Sequence, residues 1–434
     1  MKNKIIKNAS WIIVCRIIQS VLGLIISMFT ARYLGPSNFG LINYATSMVA
    51  FVTPIMHLGI RSVLVQELVK QPEKEGELLG TSIILNVSSA CLCIVGVLSF
   101  VFIVNVNERD TLIVCSLYSV ILIVQAFEVF QYWFQTKLLS KYTAVVSLCA
   151  YFIVSLYKVF LLITGKNVYW FAISNSIDFL IIAISLAILY KKLGGQKLSV
   201  NKKTAIHLLN YGKYYIISDL MINIFAQTDR VMLKSMIGNE ATGFYSAAIT
   251  CAALTQFVFG AILDSARPVI FESKQVSREK FENNMIKLYG VIIYLSLLQS
   301  IFISVFATFI VKIIYGTAYL PAADALRIVV WYTTFSYLGS ARNIWILAEN
   351  KQRYLGIINF LGATANIIMN LMFIPKWGIV GAAVASLITQ IFTNIITGFI
   401  FAPIRRTNVL MLQSLNPKGI LALIKSTIHS REGK

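Results

Sequence analysis

Charged residues are scarce in this chain: Asp, Glu, Lys and Arg together make up 13% of 434 residues. Soluble domains carry about 25%, so an ordinary water-exposed surface is excluded. Histidine is rarer still, and His57, His207 and His429 stand far apart, which removes paired-histidine metal sites of the HExxH kind. No Walker loop is present, so nothing in the chain itself would hydrolyse a nucleotide. The six cysteines (Cys15, Cys91, Cys93, Cys115, Cys149 and Cys251) all sit inside apolar blocks, where they read as small packing residues rather than as a disulfide framework or metal site.

What fills the chain is apolar, 57% of it, in blocks of about 20 residues or more, enough to cross a bilayer. Polar breaks divide it into twelve candidate helices, starting near Ser10, Phe39, Leu78, Thr111, Tyr142, Val168, Tyr211, Gly243, Lys287, Ala322, Tyr354 and Gly378. The basic start, Met1 to Asn8, runs into the first span without a small-residue cleavage site and reads as part of a retained helix rather than a signal peptide. The net charge of +20 follows from an asymmetry along the spans rather than from a nucleic-acid surface. Of 38 lysines and arginines only Arg32, Arg109, Lys166, Lys234, Lys312 and Lys376 fall on one side; a few lie within spans, and the rest share the side of the N-terminus. The positive-inside rule then puts both termini in the cytoplasm.

The opposite side has only short turns, residues 105–110, 164–167, 238–242 and 375–377, too short for an external catalytic domain. Two basic-side segments, residues 60–79 and 419–428, mix apolar and charged residues and read as helices lying in the membrane interface.

The chain also repeats itself. Gly35, Gly40 and Ala45 meet Gly238, Gly243 and Ala248 at one constant spacing, close to half the chain. This implies two homologous six-helix halves, 1–190 and 204–406, joined by a cytoplasmic linker at 191–203 and followed by a tail at 407–434. Six is even, so the repeat is parallel. The expected fold is therefore all-α: a polytopic membrane protein whose twelve transmembrane helices form two parallel-repeat six-helix bundles around a central cavity.

Ionisable groups within a span are costly enough to need a polar cavity or a partner. At 100° per residue, positions 4, 7 and 11 apart share one face. Such stripes are Arg16, Ser20, Gly23 and Ser27; Gln125, Glu128, Tyr132 and Gln135; Ser174, Asp178 and Ser185; Asp219, Asn223, Ala226 and Arg230; Gln256, Gly260, Asp264 and Arg267; and Asn359, Ala363, Asn366 and Asn370. Lys158, Asp229, Asp324, Arg327 and Arg342 add charges to other faces. A hydrated cavity accounts for the full charges. For Asn359, Asn366 and Asn370 helix–helix hydrogen bonding serves equally well, and Arg267 and Arg342, near the inner ends, also read as snorkelling. The repeat spacing sets Asp219 opposite Arg16.

Three stretches, ARYLGPSNFGLINYA from Ala31, TDRVMLKSMIGNEATGFYSAA from Thr228 and IPKWGIVGAAVASLITQ from Ile374, resemble the bacterial polysaccharide-export flippases of the multidrug/oligosaccharidyl-lipid/polysaccharide (MOP) exporter superfamily. The resemblance covers essentially the whole chain. It implies a multi-pass protein of the bacterial cytoplasmic membrane, not an enzyme. Such a protein moves undecaprenyl-pyrophosphate-linked repeat units of O-antigen, capsule or exopolysaccharide to the outer leaflet by alternating access. It also implies no cofactor or metal, a coupling ion (H+ or Na+), contact with membrane lipids, and a polysaccharide polymerase and chain-length regulator as partners. On that reading Arg16, Lys158, Arg230, Arg267, Arg327 and Arg342 meet the pyrophosphate. Glu128, Asp178, Asp219, Asp229, Asp264 and Asp324 serve the coupling ion, and Asn223, Gln256, Asn359 and Asn366 meet sugar. The competing readings are a small-molecule drug antiporter of the same architecture and a membrane glycosyltransferase or polymerase acting on the same carrier.

Overall fold

The computed structural model describes residues 2–416, excluding the side chains of residues 2–14, 16, 62, 214 and 218. The expected interfacial helix at 419–428 lies outside the described residues. Among them every regular element is helical: α1 (Lys2–Met56), α2 (Ile60–Lys70), α3 (Glu75–Val104), α4 (Arg109–Gln125), α5 (Val129–Thr136), α6 (Ser140–Ile163), α7 (Val168–Lys192), α8 (Lys202–Met236), α9 (Asn239–Ala252), α10 (Gln256–Val276), α11 (Arg278–Tyr315), α12 (Ala322–Ala348), α13 (Arg353–Ile391), α14 (Thr397–Ile400) and α15 (Arg405–Gln413).

Among the described residues eight segments are long and apolar enough to cross a membrane. Two of these, Ile17–Met56 and Arg353–Ile400, run 40 and 48 residues, about twice a bilayer's need. Each is broken by a glycine in non-helical geometry, Gly35 at φ 72° and Gly378 at φ 57°, a region in which a side chain would be strained. Counting each as two arms and adding α8 and α12, whose charges lower their hydropathy, gives the twelve implied by the sequence. Several helices start earlier than their apolar blocks, α8 at Lys202 and α11 at Arg278. Their charged first turns are helical too, but hydropathy registers only the apolar part.

The chain divides into two compact units, Met1–Gly243 and Phe244–Lys434. In the first, Tyr44, Met48, Val97, Tyr118 and Phe171 centre one apolar cluster. A second, nearer the basic end, joins Leu64, Leu68, Phe130, Trp133, Tyr190 and Leu208. Helix α2 belongs to this second cluster: its Ile60, Val63, Leu64 and Leu68 are buried as it packs against α3, α5 and α8. The apolar face expected to meet lipid meets protein instead.

The 191–203 connection is also more fixed than a flexible linker. The Ser199 amide donates to the Gly76 carbonyl at 3.2 Å, the Gly76 amide donates to Gln196 Oε1 at 3.1 Å, and the Asn201 amide donates to Thr81 Oγ1 at 3.1 Å. The strap thereby lies along the first two turns of α3.

The first unit is closed at its short-turn end by a glycine contact. A Cβ on Gly40 would stand 1.8 Å from the Asn239 carbonyl oxygen, and one on Gly243 would stand 2.0 Å from that of Pro36. The two repeated motifs therefore pack on each other, and only hydrogen at both positions permits that approach.

The second unit has its own core around Phe281, Met285, Tyr289, Trp345 and Leu410. Helix α15 is held against α11 by the Arg406–Glu282 ion pair and by a hydrogen bond between the Tyr289 and Thr407 hydroxyls.

Candidate functional site

The first unit contains a polar cavity of about 350 Å³. Cys15 and Gln19 of α1, Arg61 of α2, Gln131, Tyr132 and Gln135 of α5, and Ser140, Thr143, Ala144 and Ser147 of α6 line it. Local structure explains the convergence. The chain turns at Leu58 and Gly59, both with positive φ, so that α2 starts beside the ends of its neighbours. A 3-10 turn at Ala126–Glu128 separates α4 from α5 and re-aims the polar face of α5.

Among the described residues Arg61 is the cation in the lining of this cavity. Its guanidinium stands 5.7 Å from the centre of the Tyr132 ring, a cation–π distance, and among the described residues it forms no ion pair with a carboxylate. It acts electrostatically on His57, Glu128 and Asp219, and His57 Nε2 stands 3.8 Å from Glu128 Oε2. A guanidinium without a direct carboxylate contact, beside amides and hydroxyls, can take a phosphate oxygen pair and neighbouring sugar hydroxyls at once.

Of the residues singled out in sequence, the side chain of Arg16 lies outside the described residues, although its neighbour Cys15 lines the cavity. Glu128 and Asp219 stand within reach of Arg61's charge, and Asn223 donates to the Asp219 carbonyl at 2.9 Å.

Lys158 and Asp178 come together elsewhere in the unit. Lys158 Nζ donates to Asn175 Oδ1 at 3.0 Å, Asn175 donates to the Tyr118 hydroxyl at 2.9 Å, and the Lys158 and Asp178 charges act on each other. Arg230 Nη1 donates to Gln227 Oε1 at 3.0 Å, which also accepts from the Ser47 hydroxyl at 2.9 Å, so Arg230 joins α8 to α1. Asp229 is buried.

The second unit deals with its charges differently. Arg267 and Asp264 pair one turn apart at 3.8 Å, as do Arg327 and Asp324 at 2.5 Å, all four well exposed. Gln256 is exposed at the start of α10 and Asn359 is half-buried on α13. Asn366 and Asn370 are fully buried: Asn370 donates to Asn366 Oδ1 at 3.1 Å, and Asn366 reaches Ser386 at 3.4 Å. Of the two roles open to these asparagines in sequence, the geometry presents the packing one, and a sugar has no access to Asn366.

Arg342 likewise departs from a pyrophosphate contact or a snorkelling cation. It is 2% exposed, and its Nη1 donates to the Thr393 carbonyl at 2.6 Å. That carbonyl lies in a π-helical turn, Phe392–Ile396, whose altered hydrogen-bond register is a common source of functional or packing carbonyls.

Sequence reasoning left two charges of the first unit out of the site. Arg61 read as part of an interfacial helix, and only the packing of α2 reveals its cavity. Lys234 read as a turn-side surface cation, yet its side chain is 2% exposed and pairs with Glu108 at 2.5 Å; its Nζ also stands 5.8 Å from the centre of the Tyr44 ring. Burial opposes the Glu108 carboxylate, but the Lys234 ammonium and the Thr111 hydroxyl outweigh it and hold its carboxyl below the usual range.

Comparison with known proteins follows the same line. The model of a family described as polysaccharide biosynthesis protein matches residues 5–274. The chain belongs to that family. The capsular polysaccharide biosynthesis protein CapF of Staphylococcus aureus is 21% identical over 412 residues, covering 91% of this chain and 98% of CapF. A probable flippase, AglR of Haloferax volcanii, is 23% identical over 46% of this chain and 42% of its own. The membrane protein MJ1068 of Methanocaldococcus jannaschii is 28% identical over 67% of this chain, and the match spans 58% of that relative's length.

Among solved structures, the lipid II flippase MurJ in an inward closed conformation aligns with a TM-score of 0.67 at 16% identity, covering 96% of this chain and 98% of MurJ. An inward-facing multidrug resistance MATE family transporter of the MOP superfamily aligns at 0.65 with 14% identity, covering 90% and 95%. At these identities the structures establish the fold, that of MOP superfamily transporters.

Proposed function

We propose that this polysaccharide biosynthesis protein is a flippase for a lipid-linked saccharide, carrying an undecaprenyl-pyrophosphate-linked repeat unit from the cytoplasmic to the outer leaflet by alternating access. The basic end, with both termini, faces the cytoplasm of a bacterial cytoplasmic membrane, and the protein moves its cargo without chemical change. The observation that carries this reading is Arg61: a guanidinium over an aromatic ring, with no ion pair among the described residues, in a cavity lined mostly by amides and hydroxyls. A pyrophosphate requires the first feature and a sugar the second. The family and the relatives named for capsule biosynthesis and flipping support it. The polar lining argues against a lipophilic drug as cargo, since drug-sized pockets are mostly apolar.

Glu128, with His57 beside it, and Asp219 supply proton- or sodium-accepting groups within reach of the same arginine. An anionic cargo competing for Arg61 would free these carboxylates for an ion and so couple the two, because a ligand shifts an alternating equilibrium only by its difference in affinity for the two states.

The test is flipping of a fluorescent undecaprenyl-pyrophosphate disaccharide in proteoliposomes. Arg61→Gln is expected to slow flipping at least tenfold at normal reconstitution efficiency, with partial recovery in Arg61→Lys, which keeps charge but loses the planar fork. Full activity of Arg61→Gln would remove the pyrophosphate role. In the same assay at least one of Glu128→Gln and Asp219→Asn should keep downhill flipping while losing its response to an imposed ion gradient; a wild-type response in both would sink the coupling scheme.

A further inference from the structure

A second polar cavity lies at the other end of the first unit, among the short turns. About 330 Å³ in volume, it is lined by Tyr33, Leu34, Asn38, Asp110, Gly165, Lys166, Asn167, Val168 and Tyr169. Three turns that are far apart in sequence build it. Its apolar floor is Leu34 and Val168, both buried. The two tyrosines forming its walls are held by their hydroxyls: Tyr33 donates to the Lys166 carbonyl at 3.1 Å, and Tyr169 donates to Asp110 Oδ1 at 2.6 Å. The Lys166 carbonyl is presented there by the turn at Gly165 (φ 69°), with the Lys166 amide donating to the Leu161 carbonyl at 3.1 Å.

An aromatic side chain at a membrane surface ordinarily points its hydroxyl to water. Here both phenols are bonded to protein, which fixes the rings while 41% of Tyr33 stays exposed. Around them stand groups that bind hydroxyls in pairs: Asp110 keeps its second oxygen as acceptor, Asn38 keeps its carbonyl oxygen because its amide nitrogen donates to the Leu34 carbonyl at 3.2 Å, and Asn167 offers both a donor and an acceptor. Within the lining the Lys166 ammonium is offset by the Asp110 carboxylate, so the pocket is built more for hydroxyls than for an anionic group. Immobilised ring faces for C–H surfaces, with planar acceptors and donors at their edges, are the chemistry that recognises a saccharide.

We propose that this pocket is a saccharide-binding subsite, distinct from the Arg61 cavity, that receives the sugar end of the cargo as it reaches the far side of the membrane. Its receiving role rests on the flippase reading, whereas saccharide binding itself does not. The experiment uses the full chain in lipid nanodiscs and a panel of lipid-free di- to tetrasaccharides, with binding read by saturation-transfer NMR. At least one saccharide should bind saturably to the wild type. Tyr33→Ala and Asp110→Asn should each weaken that binding at least tenfold, and Asn38→Trp, which fills the pocket without removing its walls, should abolish it. The proposal is overturned if no saccharide binds the wild type, or if binding survives in all three pocket variants. Should binding follow the pocket variants while the wild type flips no lipid-linked saccharide, the site stands and the flippase reading falls. With flipping but no saccharide binding, the flippase reading stands and the site falls.

Discussion

Arg61 and Arg342 are both guanidinium groups in membrane-associated helices, and the protein treats them in opposite ways. Arg61 is exposed in a polar cavity, whereas Arg342 is 2% exposed and hydrogen-bonded to a carbonyl that a π-helical turn turns towards it. Gly339, one turn before Arg342, admits Asn394 so closely that a Cβ there would stand 2.2 Å from its Oδ1. The second unit therefore encloses Arg342 in packed polar groups, while the first leaves Arg61 open. A charge within a span is a reason to look for function, but exposure and partners decide whether it meets cargo or holds helices together. Lys234 with Glu108 falls between the two cases: the lysine side chain is 2% exposed and the glutamate 44%.

This ordering makes burial the predictor of what removing each charge costs in stability. Arg342→Ala would leave a cavity and orphan the Thr393 carbonyl, and should destabilise the purified protein by about 3–4 kcal/mol, read by thermal unfolding in detergent. A variant of normal stability that lost flipping alone would break the comparison, because the sealed arginine would then act on cargo.

Glu108→Gln comes next. It leaves Lys234 buried without its counter-charge, but the exposed side of the pair is screened by water, so about 2 kcal/mol is expected rather than the ~3–5 of a sealed pair. The pair should also show in pH. The Glu108 carboxyl is held below its unfolded value of 4.5, so its contribution is fully present above that value and is lost as pH falls through the lower, folded value. The gap between the melting curves of the wild type and Glu108→Gln should stay constant from pH 7 down to about 4.5 and narrow as the pH is taken further below it; a gap that does not change below that value would mean that the carboxylate does not stabilise the fold through its charge.

The smallest stability effect belongs to Arg61→Gln, within about 1 kcal/mol, as for an exposed side chain whose contact is a cation–π approach to Tyr132. Together with its large expected loss of flipping, that would sharpen the contrast with Arg342. A strong destabilisation would instead make Arg61 a packing residue.

Much of this was open to reading in the chain. Apolar blocks of bilayer length and the one-sided lysines and arginines determine a polytopic helical protein, because the cost of exposing polar backbone to lipid leaves few alternatives. The stripe on the fourth span likewise led to Glu128, Tyr132 and Gln135, which do stand at the cavity or beside its arginine. What a stripe cannot give is the neighbour it faces. Periodicity places Arg342 and Arg61 on helices but is silent about which carbonyl or ring comes within reach, so the sealed arginine read as a binding group and the open one as an interfacial residue. Residues 60–70 are amphipathic in either setting, and only packing against α3, α5 and α8 decides that their apolar face meets protein. The repeat shows the same division. Sequence alone establishes that Gly40 and Gly243 correspond, whereas the tertiary structure decides that they touch, since contact between residues so far apart depends on how whole helices pack and not on the local preferences a sequence records.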